Sequence, residues 1–84
     1  MARYFMHLRD GTEELLDQDG REFPSLGALR DAVLFTARDV MMGDLRDGLL
    51  DLRFRIDAED ERGAIIYTLP FEHALSIIPA PRAP

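Results

Sequence analysis

The stretch from Leu26 to about Leu45 does most to fix what this chain can become. It contains no proline and only two glycines, Gly27 and Gly43, and Pro24-Ser25 stands before it. Ser25 suits a helix N-cap, because a serine hydroxyl accepts from the free backbone N–H groups of the first turn. At about 100° per residue, Leu26, Leu29, Val33, Ala37, Val40 and Met41 fall on one stripe, and this spacing predicts a core-facing side. The same wheel puts Ala28, Phe35 and Met42 roughly opposite, among Asp31, Arg38 and Asp39, where an isolated surface helix is polar. One helix thus carries two apolar faces. Gly43, or Gly48 after a frayed turn from Asp44 to Asp47, supplies the stop.

The segments on either side of this helix are short and punctuated by glycine. Arg3-Tyr4-Phe5-Met6-His7-Leu8-Arg9, stopped by Asp10-Gly11, reads as strand one, with Tyr4, Met6 and Leu8 on one face and Phe5, His7 and Arg9 on the other. Residues 13–23, broken at Asp19-Gly20, give a weaker and interrupted second strand hairpinned to the first. Beyond the helix, Leu50, Leu52, Phe54 and Ile56 alternate with Asp51, Arg53, Arg55 and Asp57, which predicts strand three over Leu49–Asp57. An acidic turn closing at Gly63, expected in the left-handed conformation, leads into strand four over Ala64–Leu69. Pro70 ends that strand, Phe71 to Leu75 suits one helical turn, and Ile77-Ile78 is expected to fold back on the sheet. Two hairpins around one helix predict an α+β fold: an antiparallel four-stranded β-β-α-β-β sheet with the helix across one face. One domain over residues 1–78 and a proline-rich tail over 79–84, extended or disordered, complete the expected organisation.

Composition removes whole classes of chemistry. The 84 residues include no Cys, Trp, Lys or Asn, so a disulfide, a thiolate nucleophile, a zinc–cysteine site and a Schiff-base lysine are excluded. Ten arginines face sixteen carboxylates for a net charge of -6, a balance that disfavours nucleic acid and anionic membranes as partners. No apolar run approaches the ~20 residues of a membrane span, and the start lacks the apolar core of a signal peptide, so a cytoplasmic protein is expected.

Arg3 to Gly11, Asp17 to Gly20 followed by Glu22-Phe23-Pro24, and Thr68-Leu69-Pro70-Phe71 with Ala74-Leu75 together resemble an uncharacterised family of short alphaproteobacterial proteins, a domain of unknown function. The resemblance spans nearly the whole chain apart from the tail and implies no activity. A fold-level likeness to HicB-type antitoxin domains rests on the aspartate–glycine turn that leads into a helix packed on a small sheet.

Individual residues offer little toward catalysis. A metal or acid–base site would want His7 and His73 convergent with carboxylates such as Asp10 or Glu72, but the two histidines lie far apart in sequence with no ligand spacing. Asp17, Asp19 and Gly20 fit positions three, five and six of a calcium loop only if Leu15 and Leu26 occupy positions one and twelve, which no calcium loop tolerates. Ser25 and Ser76 have no glycine elbow. No catalytic residue, metal site or cofactor is therefore expected. Arg9, Arg53 and Arg55 beside Phe5 and His7 would make a stacking and phosphate-binding face, or would pair with Asp51, Asp57 or Glu14 across strands; the charge balance favours pairing.

The expected function is a non-enzymatic protein-interaction or regulatory module, a homodimer in its simplest form. Its candidate interface is Ala28, Phe35 and Met42, unless Phe71 to Ile78 covers them, and the alternative surface is Phe5, Arg53 and Arg55. The alternative function is a HicB-antitoxin-like regulator acting with a toxin partner.

Overall fold

The structure, a computed structural model, describes residues 1–82. Its elements in chain order are β1 (Ala2–Arg9), β2 (Glu14–Leu15), β3 (Arg21–Phe23), α1 (Leu26–Arg46), β4 (Arg55–Glu59), β5 (Ile65–Pro70) and a single 3-10 turn at Phe71–His73. The α+β class and the β-β-α-β-β order are as expected, with five antiparallel strands in place of four. The expected second strand is two short ones. Both pair with the same edge of β1: Leu8 and Arg9 face Leu15 and Glu14, while Ala2 to Tyr4 face Phe23 to Arg21. The opposite edge of β1 pairs with β4, and β4 with β5.

Asp17 accounts for the gap between β2 and β3. Its Oδ2 accepts from the backbone N–H of Met6 at 3.2 Å, the donor that a continuous strand would have satisfied. Its Oδ1 accepts from Asp19 and Gly20 at 3.2 and 3.0 Å, which curls the chain away from β1. A side chain has taken over the ladder's role for one residue.

The helix begins as read: the Ser25 hydroxyl accepts from Ala28 N–H at 3.0 Å. It runs through Gly43 and stops before Gly48, whose φ of +82° places it in the left-handed region. Leu29, Val33, Ala37 and Met41 are buried and Val40 half-buried, but Leu26 is exposed, because it lies in the first turn beyond the edge of the sheet contact. These residues meet Ile56, Ala58, Leu69, Phe71, Phe23 and Ala74 to form the core, with Tyr4, Met6, Leu8 and Tyr67 packed around it.

Strand three begins later than the alternation predicts. Asp51 Oδ1 accepts from Arg53 N–H at 3.0 Å, and its carboxylate clasps the Arg53 guanidinium at 3.0 and 2.8 Å. That closes a local turn where Leu49–Phe54 was expected to be extended. Leu50, Leu52 and Phe54 still pack against the core, so the apolar phase was right and the conformation wrong. The final hairpin follows the sequence, with Gly63 at φ +82° and β5 ending at Pro70. Ile77 and Ile78 do not fold back; they are 61% and 90% exposed. Residues 79–82 are exposed and carry no regular structure, and the remaining tail residues, Ala83 and Pro84, lie outside the described ones.

Candidate functional site

Cross-strand partners share a face, so the register assigns Phe5, His7 and Arg9, with Arg55, Asp57, Glu59 and Thr68, to the sheet face turned away from α1. Asp57, expected to pair with an arginine across strands, is also buried, at 1% exposed. A carboxylate can be buried only where donors replace its water. Arg9 Nη1 donates to Asp57 Oδ2 at 2.8 Å and to Glu59 Oε2 at 2.7 Å, while its Nε donates to Glu14 at 3.0 Å. Arg55 Nε reaches both Asp57 oxygens at 3.3 and 3.2 Å, and the Thr68 hydroxyl donates to Oδ1 at 2.8 Å. Burial pushes the Asp57 carboxyl up, but the hydrogen bonds of Arg9 and Thr68 and the charge of Arg55 pull it further down, leaving it below the usual carboxylate range. The Asp57 and Glu59 hydrogen bonds hold the Arg9 guanidinium above its usual value. Among the described residues no buried side-chain nitrogen or oxygen lacks a partner. Both Asp57 oxygens and one Glu59 oxygen accept hydrogen bonds from neighbouring side chains, so these carboxylates are engaged with their own arginines and Thr68. The network ties β1, β4 and β5 together.

His7 lies at the border of this network. Its Nδ1 accepts from the Asp17 backbone N–H at 3.1 Å and its Nε2 is 3.6 Å from Glu59 Oε1. Phe5 stacks along the His7 ring, with centroids 6.4 Å apart and planes 9° from parallel. Phe5 is not free for a partner, since the Gly20 turn lies on it: a Cβ at Gly20 would sit 2.7 Å from Phe5 Cε2. His73 ends the 3-10 turn that follows β5, and β4 lies between β5 and His7's strand β1 in the sheet. Among the described residues no group of three or more His, Asp or Glu side chains is placed to hold a metal ion.

The alternative surface of Phe5, Arg53 and Arg55 is therefore not assembled. Phe5 is half-buried under the turn, Arg53 sits in the Asp51 loop off the sheet, and Arg55 lies at the opposite end of the β1–β4 register from Phe5. The arginines pair with carboxylates, as the charge balance favoured. The Arg53 guanidinium and its backbone N–H hold the Asp51 carboxyl down at about 2.

The outer side of α1 differs in kind. Phe35 and Met42 are 73% and 54% exposed, while Ala28 is half-buried against the edge of the core. Asp31, Leu34, Phe35, Arg38, Asp39 and Met42 line one shallow hollow on this side. The C-terminal segment reaches the helix beside it, where Arg38 Nε donates to the Ala74 carbonyl at 2.9 Å, yet it covers neither Phe35 nor Met42. Sequence reasoning also missed exposed apolar residues elsewhere, Leu15 and Leu16 around β2, Leu45 and Leu49 at the end of α1 and beyond it, and Ile65 and Ile66 on the outer strand β5. The uncharged run from Ala64 to Phe71 was the signal for the last pair. The β5 edge offers a poor ladder, because a register irregularity opposite Ala58 and Glu59 distorts it and Pro70 has no N–H.

The class is that of a small α+β domain, one helix on an antiparallel sheet, with an internally satisfied ionic face and an open apolar line on the helix. The chain belongs to the family DUF6894, a domain of unknown function, which it matches over residues 3–72. No curated protein and no solved structure matches it. The match agrees with the expected resemblance to an uncharacterised family, a domain of unknown function, and it lends the HicB-type likeness no support. No helix among the described residues is long and apolar enough to cross a membrane.

Proposed function

We propose that this domain is a non-enzymatic protein-interaction module that binds through the outer line of α1. One observation carries the reading: a phenylalanine 73% exposed in the middle of a long helix, seven residues from a methionine 54% exposed. Leaving apolar area in water costs roughly 25 cal/mol per Å², and a contiguous patch of it on a small domain marks a contact surface. The ionic face supports the same reading from the other side, since its groups serve one another.

A photo-crosslinking residue in place of Met42, expressed in cells of the source organism, tests this. Adducts are expected at position 42 and absent at the control position Arg62, which lies in the exposed β4–β5 turn. Equal labelling at both positions, or none at 42, would overturn the reading.

A further inference from the structure

Resting on that contact surface, we propose that its occupant is a second copy of this chain, with the two α1 helices packed antiparallel about a twofold axis at Phe35. The charges beside the apolar line select this arrangement. At about 100° per residue, Asp31 and Arg38 fall on one flank of the Phe35–Met42 line and Asp39 on the other. A twofold axis normal to the plane of two antiparallel helices keeps each flank on its own side and brings the residue n places after Phe35 level with the residue n places before it. Arg38, three places after, then stands beside Asp31 of the second copy, four places before. They are out of level by about one residue's rise, ~1.5 Å. Two such pairs bracket the central contact of the Phe35 rings. Met42 comes level with Ala28 of the second copy, a long side chain over a short one.

These groups are free to do this. Among the described residues none of Asp31, Arg38 and Asp39 enters an ion pair within the chain, and Arg38 spends only its Nε, on Ala74. Competing arrangements fit less well. A register centred between Phe35 and Met42 brings Arg38 level with Asp39, but on opposite flanks. Parallel packing brings Asp31 level with Asp31 and Arg38 level with Arg38 but on opposite flanks, so neither charge meets one of opposite sign. Antiparallel packing also opposes the two helix dipoles favourably.

The chain has no cysteine, which makes an unambiguous test simple. Ala28→Cys and Met42→Cys are prepared separately and mixed under mild oxidation, leaving Phe35 in place. A disulfide-linked dimer is expected from the mixture and from neither variant alone, because the antiparallel pair sets the two copies of position 42 about 21 Å apart. Self-linking of Met42→Cys would overturn the antiparallel register, and so would the absence of any link in the mixture. Asp31→Arg is expected to weaken association about tenfold, and Asp31→Arg with Arg38→Asp to restore it, with circular dichroism unchanged throughout. Light scattering separates this inference from the broader reading. A purified chain that stays near 9.6 kDa at high micromolar concentration overturns the second copy, while crosslinks from position 42 to a different protein leave the contact surface standing.

Discussion

Arg9→Met keeps most of the side chain's apolar stem and deletes the cation that faces Asp57 and Glu59 at 2.8 and 2.7 Å. The Asp57 side chain is 2% exposed, so losing its nearest cation leaves a buried carboxylate short of a partner. Breaking a buried pair in this way costs 3–5 kcal/mol, and because Arg55 and Thr68 still reach Asp57 the lower end applies, about 3 kcal/mol at neutral pH. With a urea slope of about 1 kcal/mol/M for so small a domain, the unfolding midpoint should fall by about 3 M. The loss should also depend on pH. In the native protein Asp57 titrates below its usual range, so its contribution is complete above the ordinary carboxylate value and is lost as pH falls through the lowered one. Without Arg9 the native value rises, and once the carboxyl is protonated in both proteins the missing cation matters less. Urea melts followed by circular dichroism at pH 7, 5 and 3 should therefore show a gap that narrows on acidification. A gap below about 1 kcal/mol at pH 7, or one unchanged at pH 3, would refute the account of a charge tied down by Arg9. Thr68→Val removes one neutral donor only and gives a milder form of the experiment, about 1 kcal/mol.

Three further substitutions test the fold around the site. Gly20→Ala should cost about 1–3 kcal/mol in thermal or urea melts, because φ is +68° and the new methyl would lie 2.7 Å from the Phe5 ring and 3.0 Å from the Tyr4 carbonyl. Asp17→Ala should speed hydrogen exchange at the Met6 amide while leaving the β4–β5 amides protected; equal protection at Met6 would show that the carboxylate does not stand in for a strand. Phe71→Ala, which empties a fully buried position beside Phe54 with ring centroids 6.1 Å apart, should cost about 3–5 kcal/mol and leave little folded population; a melting curve like the wild type's would exclude the core described above.

What the sequence made legible was local. Ser25, the stripe of Leu29, Val33, Ala37 and Met41, and the turn at Gly63 are set by neighbours a few residues away, and each stands where its spacing put it. The exposed pair Phe35 and Met42 follows from the same helical spacing. The errors arose where a side chain competed with the backbone or where the partner was distant. Asp51 takes the Arg53 N–H and delays β4, and Asp17 takes the Met6 N–H and splits a strand in two. Arg55, two residues away, is the one partner of Asp57 that the local sequence shows, and it does not by itself announce burial, because Arg9 is 48 residues away and Thr68 is 11. Alternation could place Asp57 on the face opposite the core, but only the arrival of both partners makes that face dry.

β1 also has a bearing on how the chain is made. Among the strands of this sheet it is synthesised first, yet its longest pairing is with β4, and until then it has only the two residues of β2 and the three of β3 to hold it. Closing the intervening span is an entropic cost met before any β1–β4 contact forms, which slows folding. The nascent chain therefore carries the apolar sides of β1 and α1 in water until residue 59 emerges. Completion then comes as one event, and a product cut short before Arg55 offers chaperones and proteases an open half-sheet rather than a smaller stable domain.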